Sequence, residues 1–188
     1  MEMKYYMVIY AARHAETDTN RTSIICGNDD SFSINANGLK QSYQLAETML
    51  GKGVDLIVCS PMKRALETAA CLAERLDIEI IIDKRLRERN HGSFEGKSQD
   101  DPEFLIVKNQ FAMRMNGGES IFDVAHRIYS SIDAIRKNYA DKTVLIISHG
   151  GTIGRAIESY FNDLSNNEFV ATFITNCELR KYEIGSGY

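Results

Sequence analysis

Two arginines and two histidines stand where apolar runs give way to polar turns, a placement that chemistry asks for and core packing does not. In the stretch Tyr5–Thr17 a short β-favouring run delivers Arg13 and His14 into a polar loop that ends at Asn20. Val144-Leu145-Ile146-Ile147-Ser148 delivers His149 into Gly150-Gly151 in the same manner. Leu56-Ile57-Val58-Cys59-Ser60 opens onto Pro61-Met62-Lys63-Arg64. A guanidinium is a fork that grips an anion through two parallel hydrogen bonds, and an imidazole can act as nucleophile or proton carrier. An Arg-His pair alone says little. Three strand ends that present Arg13 with His14, Arg64 and His149 say much more, because open α/β sheets bind ligands beyond the carboxyl ends of their strands.

The elements that must hold these side chains can be read in order. Asn35 occupies an N-cap position ahead of a helix carrying Leu39, Tyr43, Ala46 and Leu50, which Gly51 and Gly53 end. Pro61 suits the first turn of the next helix, with Ala65, Ala69, Leu72 and Leu76 as its apolar stripe. Glu79–Ile82 reads as a short strand, followed by a loop, 83–96, dense in charge. Residues 95–118 read as a lid-like insertion over the sheet edge. Ser120 opens an amphipathic helix with Val124, Ile128, Ile132 and Ile135 on one face and His126 off it. The strand Thr143–Ser148, a helix over Ile153–Phe161, a last strand over Cys177–Ile184 and a frayed tail at Gly185-Ser186-Gly187 complete the chain. Alternating strands and helices predict a single α/β domain, a three-layer α/β/α sandwich with a mostly parallel central sheet.

Composition narrows the function classes. The 188 residues are 44% hydrophobic, enough for one well-buried core, and the net charge of −4 without basic runs argues against a nucleic-acid partner. No apolar run reaches membrane-spanning length and the first residues form no signal peptide, so a soluble, cytoplasmic protein is expected. Cys26, Cys59, Cys71 and Cys177 lack metal-ligand spacing and read as free thiols. No His/Asp/Glu spacing suggests a metal site, and no cofactor is called for.

The chain resembles the histidine phosphatase superfamily, the phosphoglycerate mutase-like or branch 1 RHG phosphatases. The resemblance rests on Arg13-His14-Ala15-Glu16-Thr17 with Asn20, and on Ser60-Pro61-Met62-Lys63-Arg64-Ala65 with Thr68-Ala69. It continues through Leu86-Arg87-Glu88 with Gly92, Glu95 and Gly96, through Gly118-Glu119-Ser120 with Asp123 and Arg127, and through Ser148-His149-Gly150. It implies the same sandwich fold and a metal-independent phosphatase acting on phosphate monoesters of small metabolites. By resemblance His14 is the nucleophile, forming a phosphohistidine, and Glu88 is the acid and then the base. Arg13, Arg64 and His149 hold the phosphoryl oxygens, with Asn20 and the backbone at Gly150 as lesser contacts. Within the family the chain resembles α-ribazole-phosphate phosphatases and the broad-specificity members.

Two other functions compete. A cofactor-dependent phosphoglycerate mutase uses the same pocket, but family mutases carry Glu-Arg-His-Tyr-Gly and paired arginines. This chain has Glu88-Arg89-Asn90-His91-Gly92 and no Arg-Arg pair. An inactive phospho-ligand-binding module is the other. Its symptom would be Ala15, where the family usually has glycine, if that position required a positive φ. Glu95 and Asp83 are further carboxylates that could stand in for Glu88. A small phosphate ester is the expected partner, with a homodimer left open.

Overall fold

Strands β1 (Met7–Arg13), β2 (Leu56–Cys59), β3 (Ile80–Ile82), β4 (Thr143–Ser148) and β5 (Leu179–Ile184) form one sheet in the order β3-β2-β4-β1-β5. Only β5 runs antiparallel, on the edge beside β1. The computed structural model describes residues 7–185. Tyr5 and Tyr6 of the expected first strand, and Ser186 and Gly187 of the expected tail, lie outside them.

The central strands are buried along nearly their whole length, because successive side chains point to opposite faces of the sheet and both faces are covered. Val144 and Ile146 of β4 and Ile9 and Ala11 of β1 enter one apolar core, while Leu145, Ile147, Tyr10 and Ala12 enter the other. Helices α2 (Ala36–Met49) and α3 (Lys63–Leu76) cover the second core. The first is covered by α5 (Ile121–Asn138) and α6 (Thr152–Phe161). Short helices α1 (Asp18–Arg21), α4 (Pro102–Val107) and α7 (Asn166–Ala171) lie in the connections. The result is the expected mixed α/β sandwich around a mostly parallel sheet.

Caps mark the helix starts the sequence pointed to. Asn35 Oδ1 accepts from the Gly38 N–H at 2.8 Å, and Ser120 and Asp123 form a capping box. The face that α2 buries is not the expected one. Leu39, Tyr43 and Leu50 are exposed, and Gly38, Ser42, Leu45, Ala46 and Met49 face inward. Small residues are needed there because the helix crowds the loop after β1: a Cβ on Gly38 would lie 2.2 Å from the Glu16 carbonyl oxygen.

Residues 98–118 carry α4 and a satellite core in which Phe104, Val107 and Met115 pack with Ile25 and Phe94. An isolated bridge from Ile24 to Ser98 ties this segment to the loop after β1. The sheet itself depends most on β4, flanked on both sides and buried on both faces. Replacing the fully buried Ile146 by Ala should therefore cost about 2–5 kcal/mol of stability. Urea unfolding should show a lower midpoint at unchanged slope.

Candidate active site

Parallel register brings three strand ends level. Arg13 lies opposite Ser148 across β1 and β4, and the His14 N–H continues the ladder to the Ser148 carbonyl at 2.8 Å. On the other side the Ser60 N–H donates to the Ile147 carbonyl at 2.9 Å. The ends of β1, β4 and β2 thus deliver Arg13 with His14, His149, and the turn leading to Arg64 to one place. There a cavity of about 310 Å³ is lined by Arg13, His14, Asn20, Arg64 and Glu88, among others.

His14 is buried, and its Nδ1 lies 2.7 Å from the carbonyl oxygen of Ala15. A carbonyl can only accept, so Nδ1 carries the proton and Nε2 keeps its lone pair. Burial, then the charges of Arg13 and Arg64, hold the imidazole well below its usual pKa and hence neutral. Ala15 is fully buried and its N–H donates to Thr68 Oγ1 at 3.0 Å. It is not among the described non-glycine residues with positive φ, which are Ser23, Asp77 and Cys177. Alanine there strains nothing, so the one departure from the family pattern gives no ground for an inactive site.

Both guanidiniums are anchored to backbone. Arg64, in the first turn of α3, donates from Nη1 to the Asp29 carbonyl at 2.9 Å and from Nη2 to the Gly27 carbonyl at 3.0 Å. Arg13 Nη1 donates to the Ile174 carbonyl at 3.0 Å, and its buried Nε has no partner. Burial lowers the pKa of both, and the Glu88 carboxylate offsets part of that shift. Asn20 Oδ1 accepts from the Thr17 N–H at 3.0 Å and from Asn176 Nδ2 at 3.1 Å, so the amide nitrogen is the end left to donate. Asn176 Nδ2 also donates to the His14 carbonyl at 2.9 Å, a support that no motif singles out.

His149 and Gly150 are placed differently from expectation. Neither is among the residues lining this cavity. His149 stands behind His14, the two rings edge to face with centroids 5.2 Å apart. Its Nε2 lies 2.9 Å from Ser60 Oγ, and its buried Nδ1 has no partner. Burial, then Arg64, disfavours the imidazolium form of the ring. A neutral ring that accepts the Ser60 hydroxyl at Nε2 would still offer Nδ1–H as a donor. Gly150 makes room for Arg13: a Cβ there would lie 2.3 Å from Arg13 Cδ and 2.5 Å from the Ile174 carbonyl oxygen. It is Gly151 that lines the cavity.

Glu88 sits in the loop after a 3-10 turn, Lys84–Leu86, and its Oε1 accepts from the Arg89 N–H at 2.8 Å. Arg127 of α5 pins this loop, donating to the carbonyls of Arg87 at 2.7 Å and Glu88 at 3.2 Å. Glu119 pairs with Arg127 at 2.8 Å and fixes it in turn. The competing carboxylates are occupied elsewhere. Asp83 binds Arg85 and Ser131, and Glu95 Oε1 accepts from the N–H groups of Asn28 and His91. Neither lines the cavity.

The lining also includes Arg89, His91, Phe104, Lys108, Arg155 and Phe173, none of which the sequence singled out as a site residue. The capping box of Ser165 and Glu168 marks α7, whose Val170 lines the cavity just before Phe173. Among the described residues, no cluster of three or more His, Cys, Asp or Glu side chains is placed to hold a metal ion.

The histidine phosphatase superfamily (branch 1) model matches residues 9–188. The chain belongs to that family. A Hydrogenobacter thermophilus relative named "Putative phosphoserine phosphatase 2" is 30% identical over 152 residues, covering 77% of this chain and 74% of its own. A Yersinia pestis probable phosphoglycerate mutase GpmB is 29% identical over 153 residues, 78% of this chain and 71% of its own. Among solved structures, a mycobacterial glucosyl-3-phosphoglycerate phosphatase bound to VO3 superposes with a TM-score of 0.82 at 26% identity, over 93% of this chain and 91% of that one. Phosphatase names recur among these histidine phosphatase relatives.

The histidines of this branch 1 protein make its stability depend on pH in a defined window. His14, His91 and His149 all have lowered pKa values, His91 down to about 3, because burial opposes their charge. Below about pH 6.5 the unfolded chain binds protons that the folded protein refuses, so stability falls as pH falls. The loss between pH 6.5 and 5 should approach ~1.4 kcal/mol per pH unit for each histidine, before the carboxylates titrate. Urea unfolding at pH 7, 6 and 5 checks this, and a flat profile would mean the imidazoles accept protons in place.

Proposed function

We propose that the protein is a metal-independent phosphomonoesterase that hydrolyses small phosphate esters through a phosphohistidine on His14. The observation that carries this is the neutral His14 imidazole, its Nδ1–H held by the Ala15 carbonyl and its Nε2 free, in a cavity that also holds two anchored guanidiniums and a carboxylate. Nε2 attacks phosphorus as the ester P–O bond breaks, and protonated Glu88 gives its proton to the departing oxygen. Glu88, now a carboxylate, takes a proton from water. The water oxygen then attacks phosphorus, the P–N bond breaks, and neutral His14 is restored.

Arg13 and Arg64 supply the charge that the equatorial oxygens need, and they stay protonated at any working pH. Their carbonyl anchors fix them before substrate arrives, which spares reorganisation at the moment of reaction. His149, joined to Ser60, contributes its Nδ1–H or, once an anion is bound, a charged donor. A cavity of about 310 Å³ suits a small metabolite. Free thiols at all four cysteines fit a reducing, cytoplasmic setting.

The likeness to a probable phosphoglycerate mutase keeps a second reading open, in which the phosphoryl group returns to a second hydroxyl of the substrate. Release of inorganic phosphate from an aryl phosphate, without isomerisation of phosphoglycerate, separates the two. Arg64→Lys should lose on the order of a hundredfold in kcat, because a point ammonium cannot reproduce the fork. Glu88→Gln should slow alkyl phosphates about a hundredfold or more while sparing the first step with aryl phosphates, whose leaving oxygen needs little help. A burst of aryl alcohol, with the phosphoryl group retained on His14, should accompany that change. Equal slowing of both ester classes without a burst would place the acid elsewhere.

A further inference from the structure

The carbonyl that selects the His14 tautomer belongs to the peptide joining Ala15 to Glu16, and that peptide is held at both ends. Its oxygen accepts from His14 Nδ1 at 2.7 Å. Its N–H, that of Glu16, donates to Gln41 Oε1 at 2.9 Å. An amide nitrogen cannot accept, so the oxygen of the Gln41 side chain is the end that faces this N–H. Gln41 is half-buried on α2 and is not among the residues lining the cavity.

The rest of Glu16 is tied to the start of the same helix. Its carbonyl accepts from the Asn35 N–H at 2.9 Å, and its carboxylate oxygens accept from Asn35 Nδ2 at 2.9 Å and Asn37 Nδ2 at 3.1 Å. Those bonds place Glu16 as a residue. The bond to Gln41 is different, because it is made by the peptide unit that carries the Ala15 carbonyl. A peptide is planar, so its N–H and C=O turn together. An N–H that donates also polarises its own carbonyl and makes that oxygen a better acceptor. Ala15 is anchored separately on its other side, by its N–H to Thr68 Oγ1, and that hydroxyl donates in turn to the Arg64 carbonyl at 2.7 Å.

We infer that Gln41 is a positioning residue for the reaction: by accepting the Glu16 N–H it fixes the Ala15 carbonyl, and through it the nitrogen that His14 presents to phosphorus. This rests on the phosphohistidine reading for the chemistry and adds a determinant of the nucleophile that lies outside the cavity, on the helix behind the loop. Gln41 touches no reacting atom. Without its oxygen the peptide plane is free to turn, the Nδ1–H bond weakens, and the tautomer with its proton on Nε2, which cannot attack, gains population. Phosphate binding is spared, because Arg13 and Arg64 are anchored to other carbonyls.

The test compares Gln41→Leu, close in size and a good helix former but with no acceptor, with Gln41→Glu, which keeps an oxygen at the same reach. In substrate-free protein at neutral pH, nitrogen NMR should show the His14 proton on Nδ1 in the native chain and a mixture of tautomers in Gln41→Leu. Rapid-quench phosphorylation by an aryl phosphate should slow about tenfold in Gln41→Leu, while affinity for inorganic phosphate stays within about twofold. Gln41→Glu should recover most of the rate. A merely structural role would lower the urea midpoint and leave the tautomer as it was. Should Gln41→Leu fail to fold, Gln41→Ala, which suits a helix and admits water, takes its place with a smaller change in the same direction. An unchanged tautomer and phosphorylation rate overturns the inference, as does a Gln41→Glu protein no faster than Gln41→Leu. The chemistry is checked apart from this: no phosphate on His14 of the native protein sinks the phosphohistidine reading alone, and the tautomer comparison still decides the role of Gln41.

Discussion

A single hydrogen bond, from Nδ1 of His14 to the carbonyl of the residue that follows it, is what the site depends on. It fixes the tautomer, turns Nε2 toward phosphate chemistry, and leaves the ring neutral in surroundings that already refuse a proton. Much of the nearby structure holds that bond in place. The β ladder takes the His14 N–H, Thr68 of α3 takes the Ala15 N–H, and Asn176 takes the His14 carbonyl. Gly38 lets α2 press against Glu16, the next residue along.

The second constraint is charge. Arg64 is as buried as the apolar core and Arg13 is partly buried, and their solvation is replaced by carbonyls of loops rather than by carboxylates. A carboxylate partner would neutralise the charge that a phosphoryl group needs, whereas a carbonyl orients the fork and leaves the charge available. Glu88 is the exception. It is presented from a loop that Arg127 and Glu119 clamp from outside the cavity, so it faces the cations without being locked to one of them.

What could be read in the sequence was whatever repeats with a period or caps an end. The five strands, the Asn35 and Ser120 caps, and the strand-end positions of Arg13, His14 and Arg64 follow from local pattern. The face of α2 was not legible, because what decides it is the close approach of the Glu16 backbone, and that selects Gly38 and Ser42 over Leu39 and Tyr43. Motif order alone also put Gly150 at the phosphate, whereas its lack of a side chain serves Arg13. Arg89 and Arg155 reach the cavity lining from places far apart in the chain, held by carbonyls of segments with no periodicity, so only the folded structure brings them together.

The central claim is that the protein works through Nε2 of His14, and one measurement addresses it directly. The Glu88→Gln protein is mixed briefly with an aryl phosphate, quenched in base and unfolded, and its histidine phosphate is identified by phosphorus–proton NMR correlation. The account expects phosphate on His14, bonded to Nε2, in a form stable to base and labile to acid. Phosphate on Nδ1, on His149 or on no histidine would contradict it, because the Ala15 carbonyl would then not be selecting the nucleophile.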